Sequence, residues 1–189
     1  MDCMKELSLN ILDLVQNSIK ARASHVEIRL EETVETLSFA VIDDGCGMNE
    51  DMLNRVTDPF YTTRTTRQVG LGIPFVKMQA EMTGGYLNIS SRPSALYKTR
   101  HGTVLKALFY KNHIDFTPPG DMVSTIMTLI QGNPTIHFVF FHTRPQGDVF
   151  LDTHQIQQVL GDIPLNQFEV LTWIHSDLQQ QYAKQSNMI

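Results

Sequence analysis

VIDDGCGM, residues 41–48, runs an apolar stretch straight into two adjacent carboxylates and a glycine pair. Upstream of it, Leu37, Phe39 and Val41 alternate with their neighbours, so the stretch reads as the end of a half-buried strand that turns at Gly45-Cys46-Gly47. Carboxylates beside glycines can hold a metal, act as a general acid or base, border a phosphate, or simply turn the chain. The residues on either side have to decide between these.

Working outward, HVEIRLE (25–31) alternates in the same way, with Val26, Ile28 and Leu30 on one face and Glu27, Arg29 and Glu31 on the other. Residues 5 to 22 carry helical periodicity. Asn49, followed by Glu50 and Asp51, reads as a helix start. The Thr- and Arg-rich segment 58–72 reads as a loop. Pro74 suits a first helical turn and Gly84-Gly85 a helix stop. Two further strands follow in YLNIS and TVLKALFY. One-faced strands interleaved with amphipathic helices predict a two-layer α/β sandwich, α+β in class, whose mixed, mainly antiparallel sheet is covered by helices on one face.

Past Thr117-Pro118-Pro119-Gly120 the texture changes. A short amphipathic helix, an apolar strand IHFVFF, a turn at 144–148, a second strand VFL, and a last helix through EVLTWIHSDLQQQYA form a small C-terminal α+β appendage. The expected division is 1–112 and 113–189, with the second part either separate or packed into the same globule. Trp173 is expected in the core.

The first helix has two faces. At about 100° per residue, Asn10, Asp13, Asn17 and Lys20 share an arc of roughly 80°, opposite Leu7, Ile11, Leu14, Val15 and Ile19. Asn and Asp disfavour helix interiors, so a stripe of them calls for a compensating contact. Amide and carboxylate oxygens with an ammonium would suit hydrated Mg²⁺ and a phosphate chain.

The glycines exclude several sites. Gly45-Cys46-Gly47 fails the dinucleotide fingerprint, because Glu50 stands at the third glycine position. It fails the calcium loop, whose acids fall at alternate positions, and no G-x-x-x-x-G-K-[ST] occurs anywhere. Gly70-Leu71-Gly72-Ile73-Pro74 opens a helix, where backbone N–H groups and the helix dipole favour an anion.

The composition adds limits. A length of 189 residues allows one domain or two small ones, and 42% hydrophobic residues suffice for a core. A net charge of −5 gives no bulk attraction to nucleic acid or anionic lipid. No apolar run approaches the ~20 residues that cross a bilayer, and MDCMKELSLN has no signal-peptide pattern. Cys3 and Cys46 are too few for a disulfide framework or zinc site. A cytoplasmic setting is therefore expected, with neither nucleic acid nor membrane as partner and the oligomeric state open.

Four segments together resemble the GHKL ATP-binding superfamily, to which gyrase, an ATP-dependent chaperone, histidine kinases and the mismatch-repair ATPase belong. LDLVQNSIKARAS is similar to its N box, VIDDGCGM to its first glycine box and DPFYTTR to the short F box of histidine kinases. VGLGIPFVKMQAEMTGGYLNISS, then HGTVLKALF, is similar to the second glycine box and terminal Gly-Thr strand. The likeness spans about residues 6 to 110 and implies a Bergerat-type sandwich binding ATP and Mg²⁺.

The resemblance implies roles residue by residue. Asn17 would coordinate Mg²⁺, and Lys20 would contact phosphate. Asp43 would accept from the adenine amine, with Gly45, Gly47 and Met48 beside the base. Phe60, Thr62, Thr63 and Arg64 would belong to the lid. Gly70, Leu71, Gly72 and Ile73 would present the phosphate-binding turn, and Thr103 would support Asp43. Asp13 stands where the family's ATPases carry a catalytic Glu, and is the candidate base. Asp44 reads as a turn or surface residue.

Autophosphorylation as a complete sensor kinase is not expected, because none of the seven His residues sits in the usual phosphoacceptor pattern. Phosphoryl transfer or slow hydrolysis in a regulatory setting, coupled to a protein partner, is the expected function. The alternatives are a non-catalytic nucleotide sensor and a serine/threonine kinase like the anti-sigma-factor branch.

Overall fold

The computed structural model describes residues 6–58 and 72–184. Its order is α1 (Leu7–Lys20), β1 (His25–Glu32), β2 (Thr36–Asp43), α2 (Glu50–Arg55), α3 (Gly72–Met82), β3 (Tyr86–Arg92), β4 (Gly102–Tyr110), α4 (Met122–Gly132), β5 (His137–Thr143), β6 (Val149–Asp152), α5 (Thr153–Leu160) and α6 (Phe168–Lys184). The strands form one six-stranded sheet in the order β3-β4-β2-β1-β5-β6. Every pairing is antiparallel except β1 with β5.

Register makes one sheet face continuously apolar. Ile28 stands opposite Val41 and Phe140, Val41 opposite Leu105, and Phe140 opposite Leu151. Because side chains alternate along a strand, these residues share a face, and α1, α3, α4 and α6 bury it. Phe39, Phe109, Phe138 and Phe140 are fully buried there, each contributing about 1.5–3 kcal/mol of transfer free energy. The expected two-layer α+β sandwich with a mixed, mainly antiparallel sheet is present.

Residues 137–152 lie within that same sheet, since β5 adds alongside β1 and β6 alongside β5. The segment ahead of α4 is also tied to the first helix. Glu6 at the N-cap makes no side-chain cap, and the N–H groups of Leu7 and Ser8 donate instead to the carbonyls of Pro118 and Pro119. Asn49 caps α2 by accepting from Met52 N–H, and Asp152 caps α5 by accepting from His154 and Gln155 N–H.

Two expectations give way to packing. Trp173 is 58% exposed, because Val170, Ile174 and Leu178 form the buried face of α6. Asn10 is 1% exposed and leaves the polar stripe for the interface between helices: its Nδ2 donates to Gln79 Oε1 of α3, and Gln79 Nε2 donates to Thr117 Oγ1. A buried amide partner on a helix 69 residues away is the contact that compensates Asn10, and helical periodicity does not contain it.

Candidate functional site

A cavity of about 330 Å³ opens between α1, the ends of β2 and β4, the glycine turn, α2 and the start of α3. Asp13, Asn17, Lys20, Asp43, Gly47, Met48, Gly72, Ile73 and Thr103 line it, joined by Ser18, Cys46, Met52, Val56 and Leu105. Residues from four separate parts of the chain thus converge on one hollow.

Asp43 ends β2 and stands directly opposite Thr103 on β4. Its Oδ1 accepts from the N–H groups of Gly45 (2.9 Å) and Thr103 (3.2 Å), and its Oδ2 accepts from the Ser18 hydroxyl at 2.7 Å. A carboxylate offers about four lone-pair sites, so these donors fix its plane and, by count, leave one acceptor position on Oδ2; Asp43 itself lines the cavity. Behind it, Ser91 Oγ pairs with Thr103 Oγ1 at 3.0 Å and accepts from Met48 N–H at 2.8 Å, which ties the glycine turn to β3 and β4.

The glycines of the turn do different things. Gly47 has φ +66°, and a Cβ there would lie 2.2 Å from the Arg92 carbonyl oxygen, so no other residue fits without movement. The missing side chain of Gly45 clears the side chain and carbonyl of Ala21, the C-cap of α1, and the Oδ1 of Asp43. Asp44 points away from the cavity group. Its Oδ1 accepts from Ser24 N–H and His25 N–H, and its Oδ2 accepts from the Ser24 hydroxyl, pinning the α1–β1 turn to the end of β2. Burial pushes its pKa up, but the Ser24 hydroxyl and the two N–H groups outweigh this and hold it below the usual range.

At the other end of the hollow, Asp13 and Asn17 of α1 face the first residue of α3. A Cβ on Gly72 would meet Asp13 Oδ2 at 2.1 Å and Asn17 Nδ2 at 3.9 Å. Absence of a side chain at 72 therefore lets the carboxylate lie against the backbone at the helix start. Lys20 lines the same wall one turn along. Among the described residues, no group of three or more His, Cys, Asp or Glu side chains could hold a metal ion by itself.

Phe60, Thr62, Thr63, Arg64, Gly70 and Leu71 lie outside the described residues. Ser18 was not legible as a site residue: it sits beside the polar stripe, and only its buried hydroxyl and the closeness of β2 reveal its role. Met52 and Val56 were likewise hidden, since α2 carries no chemical motif. His101 bonds the Gly45 carbonyl through Nδ1 at 2.7 Å and serves the turn.

A family model for histidine kinase-, DNA gyrase B-, and HSP90-like ATPases matches residues 5–121. The sensor protein KdpD of Clostridium acetobutylicum is 32% identical over 97 residues, which are 47% of this chain and 11% of that protein. The sensor histidine kinase YvrG of Bacillus subtilis is 29% identical over 105 residues, 52% of this chain and 17% of that one. The chain thus spans less than a fifth of the length of either relative. Among solved structures, the Aquifex aeolicus MutL ATPase domain complexed with ADP aligns with 84% of this chain and 70% of its own, at TM-score 0.51 and 13% identity, a likeness of fold. No described helix is long and apolar enough to cross a membrane.

Proposed function

Because the chain belongs to the histidine kinase-, DNA gyrase B-, and HSP90-like ATPase family, we propose that it binds ATP with Mg²⁺ in the cavity between α1 and the ends of β2 and β4. The bound nucleotide supports slow hydrolysis or phosphoryl transfer in a regulatory setting, with a protein partner that supplies a phosphoacceptor or receives the output. One observation carries the reading: Asp43 is fixed by three donors at one end of the hollow, while Asp13, Asn17 and Lys20 gather at the other.

In this reading Asp43 accepts from the exocyclic amine of adenine, and Gly47 and Met48 border the ring. Ile73 and the Gly72 backbone border the phosphates, and Lys20 offsets their charge. Phosphoryl transfer of this kind needs mainly positioning and charge neutralisation from the protein. Asp13 is the general base, one methylene shorter than a glutamate, which fits a slow reaction.

Mg²⁺ suits the donor set, because it takes one or two protein oxygens and completes its shell with phosphates and water. Asn17 is the residue to hold it, and the ion would neutralise phosphate charge. The lid residues 60–64 and the turn at 70–71 complete the proposal from the resemblance alone.

Calorimetric titration with ATP, with and without Mg²⁺, tests it. Asp43→Asn should weaken binding by about 10- to 100-fold, the worth of a hydrogen bond to a charged group. Asn17→Ala should abolish the Mg²⁺ dependence. Unchanged ATP affinity in Asp43→Asn would refute the adenine assignment. Steady-state phosphate release by Asp13→Asn separates hydrolysis from sensing: equal rates in wild type and variant, with binding kept, would leave a nucleotide sensor.

A further inference from the structure

Serine in a helix interior ordinarily bonds back to the carbonyl one turn earlier, or points to water. Ser18 does neither. It is 4% exposed in the last turn of α1, and its hydroxyl crosses to β2 to donate to Asp43 Oδ2 at 2.7 Å. Serine costs helix propensity there, and the bond it makes is charge-assisted, the stronger class.

The other two donors to Asp43, the N–H groups of Gly45 and Thr103, both bind Oδ1. They are backbone groups supplied by any sequence with this fold. Ser18 alone, among the described residues, holds Oδ2. Counted against about two lone-pair sites per oxygen, that is the oxygen with an acceptor position left over, on a residue that lines the cavity.

We infer that Ser18 is the positioning residue for purine selection, its hydroxyl orienting Asp43 Oδ2 as an acceptor for the exocyclic amine of a 6-aminopurine nucleotide. The inference rests on the nucleotide reading of this cavity and adds what sets its preference. A 6-oxo purine would put a carbonyl oxygen against an oriented carboxylate oxygen, acceptor facing acceptor, and is refused. Asn17, the neighbouring residue, turns toward Gly72, so one turn of α1 touches both ends of the hollow.

The test is competition binding of ATP, GTP and purine riboside triphosphate, which lacks the 6-amine, to wild type, Ser18→Ala and Ser18→Thr. Thermal melts of the three proteins without nucleotide accompany it. Ser18→Ala should weaken ATP about tenfold and the amine-free triphosphate less than twofold, which lowers the ATP-to-GTP preference. Ser18→Thr, which keeps the hydroxyl, should restore the preference. In an Asp43→Asn background, Ser18→Ala should have no further effect on the ratio, because the two residues act as one unit. Equal weakening of all three nucleotides, or an unchanged ratio in Ser18→Ala, overturns the inference alone. A wild type that binds all three alike overturns the adenine assignment of Asp43 and the inference with it.

Discussion

Asp43 and Asp44 are neighbours in sequence and strangers in function. Strand alternation sends Asp43 to the cavity face, beside Ser18 and Thr103. Asp44 turns to Ser24 and His25 and closes the α1–β1 corner. Its folded pKa is lowered, so it stabilises the fold above the ordinary aspartate range and loses that contribution as pH falls through the folded value. Asp44→Ala should therefore destabilise the protein by about 1–2 kcal/mol at pH 7, discounted for partial exposure, and the gap to wild type should narrow toward pH 3. Urea unfolding across that range is the check. That the pair divides its work in this way was half legible: the motif marks Asp43, but nothing in VIDDGCGM shows what Asp44 grips.

At the scale of elements, α1 and α3 meet at the Asp13 end of the cavity, and Gly72 sets how close they come. A methyl at 72 would press on Asp13 Oδ2, the end of a side chain that can swing, and not on backbone. Under the proposed role of Asp13 as base, Gly72→Ala should leave the unfolding midpoint nearly unchanged yet lower phosphate release about 10- to 100-fold, the loss expected for a base misplaced by about an ångström. A variant that melts early would instead mark Gly72 as a packing residue. Periodicity marked the strands and the longer helices, and the capping signal at Asn49 marked the start of α2. They could not place Asn10 or Trp173. Each depends on which neighbour arrives, Gln79 for the first and none of the core for the second.

At the scale of the molecule, β5 joins the sheet parallel to β1, and a buried polar cluster marks the seam. His142 is 2% exposed; its Nε2 lies 3.0 Å from Glu32 Oε1 and its Nδ1 lies 2.8 Å from the Tyr182 hydroxyl of α6. Lys111 donates to the other oxygen of Glu32 at 2.9 Å. Burial lowers the His142 pKa below its usual value, against the pull of Glu32. On acidification the unfolded chain takes up a proton near the ordinary histidine range that the folded chain refuses, so stability falls as pH drops from about 7 to 5. For Glu32, burial raises the pKa, but Lys111 and His142 outweigh it and hold the carboxylate low, so its contribution is lost only at lower pH. Thermal melts of wild type and His142→Asn between pH 5 and 8 should show a slope in the first and a flatter line in the second. Equal slopes would place the titration elsewhere.

The sequence by itself determined the class of fold and singled out segments whose residues line the cavity. Alternation, helical period, caps and glycine turns are local, and the N-box and glycine-box segments carry their own spacing. Only the tertiary structure decided that residues 137–152 widen the same sheet, that Ser18 reaches Asp43, and that Gly72 admits Asp13. Those contacts join residues 25 to more than 100 positions apart. Strand registry and close helix approach create them, and neither leaves a periodic mark in the chain that makes them.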